Sequence, residues 1–239
     1  MLSKTSSPTA AICYGPMKSG KSRYLVQQAQ VLKEQKISFL AFKPVQDTRD
    51  GSFIRSRDVH CQDVQALGVA SIRELLQIVK QAQQAPHLFA QSFPNCPSEA
   101  LSLQASFLPE VGVKACLIDE VFLFDGEIVA AIASLMQQGI SVYLSGLDRD
   151  FRGEYFPLRH FEQHGLTMQD LIAACKEIIA LEAHCEQCGQ AASLTQRLIN
   201  GQPAPYNSPT VLIGDEEYEP RCQNHHEVIG VPHSLSAVS

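Results

Sequence analysis

A glycine-rich stretch near the amino terminus carries residue types that can bind phosphate. Residues 11 to 22 read Ala-Ile-Cys-Tyr-Gly-Pro-Met-Lys-Ser-Gly-Lys-Ser, which contains the spacing GxxxxGKS of a P-loop. Glycines let successive backbone N–H groups turn toward phosphate oxygens, Lys21 can reach the outer phosphates, and the hydroxyl of Ser22 can ligate Mg²⁺. The motif predicts a triphosphate site, and its candidate residues are Gly15, Met17, Ser19, Gly20, Lys21 and Ser22.

Two carboxylates follow a later apolar stretch. Residues 113 to 118 are largely apolar, and Asp119 and Glu120 come directly after them. In a P-loop fold the acid at this strand end is associated with Mg²⁺, so Asp119 is the candidate. The adjacent Glu120 can take a proton from an attacking hydroxyl or water. The pair alone does not separate a kinase from an ATPase.

The last third of the chain contains two pairs of metal-ligand residues. Cys185-x-x-Cys188 and Cys222-x-x-His225 have the spacing of a tetrahedral Zn²⁺ ribbon, and His226 is an adjacent alternative to His225. All four ligands would be protein side chains, so the predicted site is structural. The other cysteines are scattered and are expected to be buried thiols; they are Cys13, Cys61, Cys96, Cys116 and Cys175.

Two loops hold further candidates. Asp47 and Arg49 lie in a charged stretch, residues 45 to 58, which could equally be a solvated loop. Residues 146 to 156 place Phe151 and Phe156 around an arginine and a glycine, so the two rings could wall a flat base, with Arg152 positioned for phosphate charge. A surface loop pinned by two buried phenylalanines is the other interpretation of this segment.

Apolar runs predict the strands that position these residues, and apolar residues at helical spacing predict the helices. Strands are expected at 9–15, 36–42, 113–118 and 140–145, and helices at 21–35, 71–84, 126–138 and 167–176. This order predicts an α/β fold with a parallel sheet, in which the first two strands and the helix between them form a right-handed βαβ unit. Ribbon strands are expected at 192–198 and 210–213. Residues 85–112 lack a clean period and suggest a packed insertion.

Length and composition limit the class of protein. The chain has 239 residues with 45% hydrophobic content, enough for one sizeable domain and a small appendage, which we place at residues 1–182 and 183–239. Its formal net charge of −6 provides no general attraction to nucleic acid or to an anionic membrane. No secretory signal and no apolar run of about 18 residues is found, so we expect a cytoplasmic protein.

Taken together, these motifs resemble the type II, zinc-containing thymidine kinases over nearly the whole chain. The matching segments are residues 15–22, 47–49, 118–120, 146–148, 150–153, 185–188, 195–198 and 218–222. The resemblance implies a P-loop, RecA-like sheet domain with a small C-terminal zinc ribbon. It also implies transfer of the ATP γ-phosphate to the 5′-hydroxyl of thymidine or deoxyuridine, giving dTMP and ADP for nucleotide salvage.

The resemblance also assigns roles to individual residues. Glu120 would be the catalytic base, and Arg49 and Arg152 would lie at the point of phosphoryl transfer. Lys21, Ser22 and Asp119 would handle the triphosphate and Mg²⁺. The nucleoside would contact Met17, Asp47, Arg49, Leu123, Leu147, Phe151, Phe156, Thr195 and Tyr218, with backbone groups from Leu212 to Gly214 at the pyrimidine edge. A homotetramer inhibited by dTTP is implied as well.

The chain departs from the family pattern at three places. Leu123 stands where the family has a pocket aromatic, so either the pocket stacks thymine less well or the neighbouring Phe122 turns inward and replaces the ring. Residues 214–218 are one residue shorter than usual, which could shift the loop that holds the base. Residues 85–112 are longer than the corresponding connection, which could alter a subunit contact.

Two other functions fit parts of the sequence. One is a P-loop ATPase with a nucleic-acid-binding ribbon, and the other is a catalytically weak, nucleotide-sensing relative of the kinases. Residues 185–226 argue against the first, because Arg197 and Arg221 are the only lysines or arginines there and acidic residues outnumber them. The second is disfavoured because every residue assigned to chemistry is present.

Overall fold

A computed structural model of the chain describes residues 7–56, 63–84, 112–210 and 218–232. The strands of the larger, amino-terminal part are β1 (Ala10–Tyr14), β2 (Phe39–Pro44), β3 (Phe53–Ile54), β4 (Val64–Gln65), β5 (Leu67–Val69), β6 (Ala115–Ile118), β7 (Ser141–Gly146) and β8 (Glu177–Ala180). The helices are α1 (Lys21–Glu34), α2 (Ile72–Gln84), α3 (Glu127–Gln137), α4 (Phe161–His164) and α5 (Met168–Ala173), and Val121–Leu123 forms one 3₁₀ turn.

Six of these strands form one parallel sheet in the order β5-β2-β6-β7-β1-β8. The predicted α/β class with a parallel sheet is therefore confirmed. The first two strands are parallel strands of this sheet joined by α1, and β7 and β6 lie between them. Local patterns identify strands, but packing across the whole sheet decides which strands become neighbours. As a result, the carboxyl end of β7 lies between the P-loop and the acidic pair.

Helices cover both faces of the sheet. Leu40 and Phe42 of β2 pack in a cluster with residues of α2, α3 and α5, whereas Phe39 and Ala41 pack with residues of α1. The alternation follows from the strand geometry, in which successive side chains point to opposite faces. Burial on both faces also explains the continuous apolar runs of these strands.

The isolated cysteines in the described part of this core behave as expected. Cys13, Cys116 and Cys175 are buried, and burial raises the pKa of the Cys116 thiol to about 12. Cys61 and Cys96 lie outside the described residues. No described helix has the length and apolar character needed to cross a bilayer.

The carboxyl-terminal part is built from short antiparallel strands. They are β9 (Ala183–His184), β10 (Ala191–Ala192), β11 (Leu194–Ile199), β12 (Gln202–Pro203) and β13 (Tyr218–Arg221). β11 pairs with both β12 and β13, and β9 pairs with β10. Most of the strand expected at 210–213 and of the insertion expected at 85–112 lies outside the described residues, and the boundary at residue 182 stays a prediction.

Candidate active site and metal centre

The P-loop joins β1 to α1 in the expected way. Gly20, with φ 94°, immediately precedes α1, and Gly15 adopts φ 154°. A Cβ on Gly15 would lie 2.3 Å from the carbonyl oxygen of Leu181, so no side chain fits there without backbone movement. Lys21 is buried, and its Nζ donates to the carbonyl of Pro16 at 2.6 Å. Burial lowers the pKa of this ammonium, although the neighbouring carboxylates oppose that effect.

The acidic pair lies at the carboxyl end of β6. Asp119 is buried and accepts hydrogen bonds from the Ser145 hydroxyl and from the backbone N–H of Glu120. Burial, together with the neighbouring charge of Glu120, raises the pKa of Asp119 to about 7 against the lowering effect of these bonds. Glu120 itself adopts a left-handed conformation with φ 49°, which is uncommon for a residue other than glycine and tends to occur at functional sites.

A chain of alternating charges connects β2 to Glu120. The Nζ of Lys43 lies 3.3 Å from Asp47, the Nε of Arg49 lies 2.7 Å from the other oxygen of Asp47, and Nη2 of Arg49 contacts Glu120. The pairing with Arg49 and Lys43 lowers the pKa of Asp47, although burial opposes this effect. Sequence reasoning missed Lys43, which is only 3% exposed, because a lysine at the end of an apolar strand gives no local sign of its partner.

Two cavities open on this part of the sheet. The first, which we call the aromatic cavity, is lined by Met17, Asp47, Arg49, Glu120, Phe122, Leu123, Leu147, Arg149, Phe151, Phe156, Thr195, Thr210 and Tyr218. The second, the P-loop cavity, is lined by Met17, Lys18, Gly20, Lys21, Ser22, Arg23, Lys43, Asp47, Arg49, Asp50, Phe53, Arg55, Ser56, Asp119 and Glu120.

Most of the residues selected from the sequence lie along these cavities. The aromatic cavity contains all the expected nucleoside contacts except Leu212 and Gly214, which fall outside the described residues. The P-loop cavity contains the expected triphosphate residues except Gly15 and Ser19, which belong to the loop but do not line the cavity. The aromatic cavity also includes Arg149 and Thr210, to which the sequence analysis assigned no role.

The structure decides between the two expectations for Phe122 and Leu123. The Phe122 ring lines the aromatic cavity and packs against Phe156, with ring centroids 4.6 Å apart and planes inclined at 39°. The ring also lies close to Gly146, because a Cβ on that glycine would be 3.3 Å from Cδ1 of Phe122. Phe122 therefore supplies the ring that Leu123 lacks, and both side chains line the cavity.

Arg152 requires a correction. It lines neither of these two cavities. Its guanidinium donates to Asp150 and to the carbonyl groups of Tyr206 and Ser208, each at 2.6 Å. The expectation that Arg152 lies at the point of phosphoryl transfer is thus not met in this structure, because its donors are already used by neighbouring protein groups.

Four ligand atoms converge in the carboxyl-terminal part. The sulfurs of Cys185, Cys188 and Cys222 and a ring nitrogen of His225 all lie within 4.8 Å of one another. The sulfurs of Cys188 and Cys222 are 3.8 Å apart, too far for a disulfide. Burial opposes ionisation of Cys185, but backbone N–H groups, from Cys222 first, and the contact with His225 lower its pKa to about 5. Among the described residues, this is the group arranged to hold a metal ion.

The choice between the two histidines follows from their contacts. Nδ1 of His225 lies 3.6 Å from the sulfur of Cys185 and 3.4 Å from that of Cys222. His226 instead points toward the loop after β7, where its Nε2 is 2.9 Å from the carbonyl oxygen of Phe151. The sequence-based preference for His225 agrees with this geometry.

The P-loop contacts the carboxyl-terminal part directly. The backbone N–H of Met17 donates to the hydroxyl of Thr195 in β11 at 3.0 Å. Lys18, whose φ is 61°, forms an ion pair with Glu186 at 2.9 Å. Glu186 lies between two of the four ligand residues, Cys185 and Cys188, so this ion pair connects the P-loop to the segment that carries the metal ligands.

Comparisons with known proteins agree with this arrangement. A family model described as thymidine kinase matches residues 9–88 and 87–226. The thymidine kinase of Mycoplasmoides gallisepticum is 34% identical over 223 residues, covering 93% of this chain and 82% of that relative. The thymidine kinase of Coprothermobacter proteolyticus is 47% identical over 114 residues, covering 47% of this chain and 53% of that relative.

A solved structure of a genome packaging NTPase from Sulfolobus turreted icosahedral virus 2, in complex with ATP-gammaS, is also similar. It has a TM-score of 0.36 and 18% identity, covering 73% of this chain and 74% of that chain, a level that carries no argument about function. The family model and the first relative, in contrast, both span most of the sequence. This chain therefore belongs to the thymidine kinase family.

Proposed function

We propose that this protein transfers the γ-phosphate of ATP to the 5′-hydroxyl of thymidine, with the nucleoside in the aromatic cavity and the phosphates in the P-loop cavity. The observation that carries the proposal is that the two cavities share four residues, Met17, Asp47, Arg49 and Glu120. A hydroxyl at the inner end of one cavity would meet a phosphate at the inner end of the other. Membership of the thymidine kinase family identifies the expected nucleoside.

Glu120 is the proposed base at this junction. It follows Asp119 directly after β6 and lines both cavities. In this structure that carboxylate is paired with Arg49. Arg49 also lines the P-loop cavity, so its guanidinium is placed to contact phosphate when the Glu120 carboxylate receives the hydroxyl proton.

The aromatic cavity suits a flat pyrimidine. Phe151 and Phe156 form part of its wall, as the sequence suggested, and Phe122 adds a third ring. Flat aromatic groups contact a base through their faces, and the apolar residues Leu147 and Leu123 can bury its edges. We therefore propose that these side chains select and hold the nucleoside.

The P-loop cavity fits Mg²⁺ and ATP. Lys21, Ser22 and Asp119 all line it, which brings a cation, a hydroxyl and a carboxylate to one space. Hydroxyl and carboxylate oxygens are the ligand types that Mg²⁺ prefers, so Ser22 and Asp119 would hold the ion. When bound, Mg²⁺ would neutralise charge on the phosphates, while Lys21 and the backbone N–H groups of the loop bind their oxygens.

The Cys/His cluster fits Zn²⁺. With Zn–S of about 2.3 Å and Zn–N of about 2.0–2.1 Å, tetrahedral coordination implies sulfur–sulfur edges of about 3.8 Å and sulfur–nitrogen edges of about 3.6 Å. The measured 3.8 Å between Cys188 and Cys222 and 3.4–3.6 Å from His225 to its two sulfur neighbours agree with those values. Since four side chains complete the coordination, the ion would be structural.

The remaining family properties are also proposed for this chain. We propose a cytoplasmic homotetramer inhibited by dTTP, with a kinase domain at residues 1–182 and a zinc-binding domain at 183–239. Light scattering of the purified protein measures the oligomeric state, and addition of dTTP to the kinase assay measures the inhibition. A monomer in light scattering would refute the proposed homotetramer. Full activity at saturating dTTP would refute the proposed inhibition.

Steady-state kinetics with thymidine, deoxyuridine and deoxycytidine, each with ATP and Mg²⁺, test the central proposal. We expect phosphorylation of thymidine and deoxyuridine, monitored by ADP release and by detection of the nucleoside monophosphate. ADP release that does not depend on a nucleoside would indicate an ATPase, and the absence of dTMP would refute the assignment.

A further inference from the structure

One short segment occupies most of the hydrogen-bonding capacity of Arg152. We call this segment, residues 206–210, the strap. Nε of Arg152 donates to the Tyr206 carbonyl at 2.6 Å, Nη2 to the Ser208 carbonyl at 2.6 Å, and Nη1 to the Thr210 hydroxyl at 2.9 Å. The contacts span the whole strap, so the guanidinium fixes its path at three points.

Charge and burial keep Arg152 in this position. Its Nη1 also pairs with Asp150, a carboxylate that is 2% exposed, and the side chain of Arg152 is itself 13% exposed. The guanidinium carbon lies 4.6 Å from the ring centroid of Phe151 and 5.1 Å from that of Tyr206. The hydrogen bonds to Asp150 and to the strap use four of the five N–H groups that a guanidinium carries. Arg152 therefore has no pair of N–H groups left for bidentate binding of a phosphate.

The strap reaches the aromatic cavity through its last residue. Thr210 lines that cavity and accepts the Arg152 hydrogen bond with the same side chain. Two further contacts hold the strap: Nη1 of Arg197 donates to the Pro209 carbonyl at 2.6 Å, and the Tyr206 hydroxyl donates to Glu154 at 2.6 Å. Arg152 therefore acts on the cavity wall rather than on the phosphates.

We infer that Arg152 is a positioning residue for nucleoside binding, which holds the strap so that Thr210 forms part of the aromatic cavity. The inference rests on the proposed placement of thymidine in that cavity. It assigns to Arg152 an effect on nucleoside affinity and none on the transfer step. Removing the guanidinium breaks three hydrogen bonds to the strap at once, and Thr210 is then no longer held in place in the wall of the aromatic cavity.

Arg152→Gln is the variant that tests this inference. Loss of hydrogen bonds from a charged donor implies a rise in the thymidine KM of about ten- to a hundredfold, with kcat and the ATP KM within about twofold of wild type. Direct binding of thymidine without ATP should weaken by a similar factor. Arg73→Gln, which removes an arginine paired with Glu127 on the surface, is the matched control and should change none of these constants.

A double-mutant cycle with Thr210→Val separates action through the strap from a general loss of structure. Valine keeps the shape of threonine but cannot accept the Arg152 hydrogen bond. If Arg152 acts through the strap, the thymidine KM of the double variant should rise by clearly less than the product of the two single effects. Should Arg152→Gln not fold, Tyr206→Phe, which removes only the bond to Glu154, should still raise the thymidine KM with kcat unchanged.

The outcomes are distinct. A fall in kcat of about a hundredfold or more in Arg152→Gln, with thymidine binding intact, would place Arg152 at phosphoryl transfer and overturn the inference. Unchanged kinetics would overturn it too, since the strap would then need no support from Arg152. Failure of the wild-type protein to bind thymidine would refute the proposed function instead, so the two failures can be told apart.

Discussion

Replacing Phe122 by leucine should weaken thymidine binding, because this ring takes the place of the aromatic that Leu123 does not provide. Phe122 lines the aromatic cavity and lies 4.6 Å from the ring of Phe156. A base in the cavity can contact the Phe122 ring, whereas leucine offers apolar contact without the aromatic interaction. The thymidine KM should therefore rise in Phe122→Leu while the ATP KM stays the same.

The size of the effect follows from the two contacts that the ring makes. An aromatic contact contributes about 0.5–1.5 kcal/mol beyond area burial, so losing the contact with the base predicts a two- to about twelvefold rise in KM. Losing the contact with Phe156 lowers the free energy of unfolding by a similar amount, because that contact exists without thymidine. The substitution thus has one expected effect on binding and another on stability.

Leu123→Phe provides the opposite test. The cavity already contains the Phe122 ring, which packs against Phe156 with ring centroids 4.6 Å apart. A second ring would crowd the site at a cost of about 1–3 kcal/mol, so the thymidine KM should rise here as well. If Phe122 did not fill the missing position, the same substitution would restore stacking and lower the KM.

Initial-rate kinetics at saturating ATP, combined with calorimetric titration of thymidine in the absence of ATP, measure the binding effect. KM equals the dissociation constant only when chemistry is slow, so the titration is needed. Phe161→Leu is the matched control, since Phe161 is 41% exposed and lines neither cavity. An unchanged thymidine affinity in Phe122→Leu, or a lower KM in Leu123→Phe, would refute the reasoning.

Three other substitutions test separate parts of the site. Glu120→Gln should reduce kcat by about 10²- to 10⁴-fold with both substrates still bound, and a variant that keeps more than about a tenth of the activity would place the base elsewhere. Cys188→Ser should lose the metal ion and melt at a lower temperature; wild-type protein purified without chelator that contains no zinc by elemental analysis would contradict the proposed site. Gly15→Ala should raise the ATP KM by more than about tenfold, because its Cβ would lie 2.3 Å from the Leu181 carbonyl; ATP titration that shows native affinity would contradict this.

The parts of the site that depend on local sequence could be predicted. The P-loop residues, Asp119 at the end of β6 and the two ligand pairs each combine a short spacing with a chemical requirement, and the structure places them as that spacing implies. Phe151 and Phe156 also line the expected cavity. In these cases, residues close together in the sequence were sufficient to predict the site.

The features that sequence reasoning missed depend on partners far along the chain. Arg152 looks like a phosphate ligand in its own loop, but three of its four hydrogen-bond partners lie more than fifty residues later in the strap. Lys43 pairs with Asp47 only four residues later, but the charge chain to which this pair belongs ends at the distant Glu120. The sequence analysis left the direction of the Phe122 ring open, because the ring packs against Phe156, which lies more than thirty residues later in the chain.

The hydrogen bond from Met17 to Thr195 has a consequence for how the two substrates bind. Thr195 lines the cavity proposed for thymidine, and the N–H that it holds belongs to the loop proposed for the phosphates. A nucleoside that drew the Thr195 hydroxyl toward itself would disturb the hydrogen bond to this P-loop backbone, and the ion pair of Lys18 with Glu186 is a second contact between the P-loop and the residues around the metal centre. Thermodynamic reciprocity then requires that any factor by which thymidine changes the affinity for ATP is also the factor by which ATP changes the affinity for thymidine.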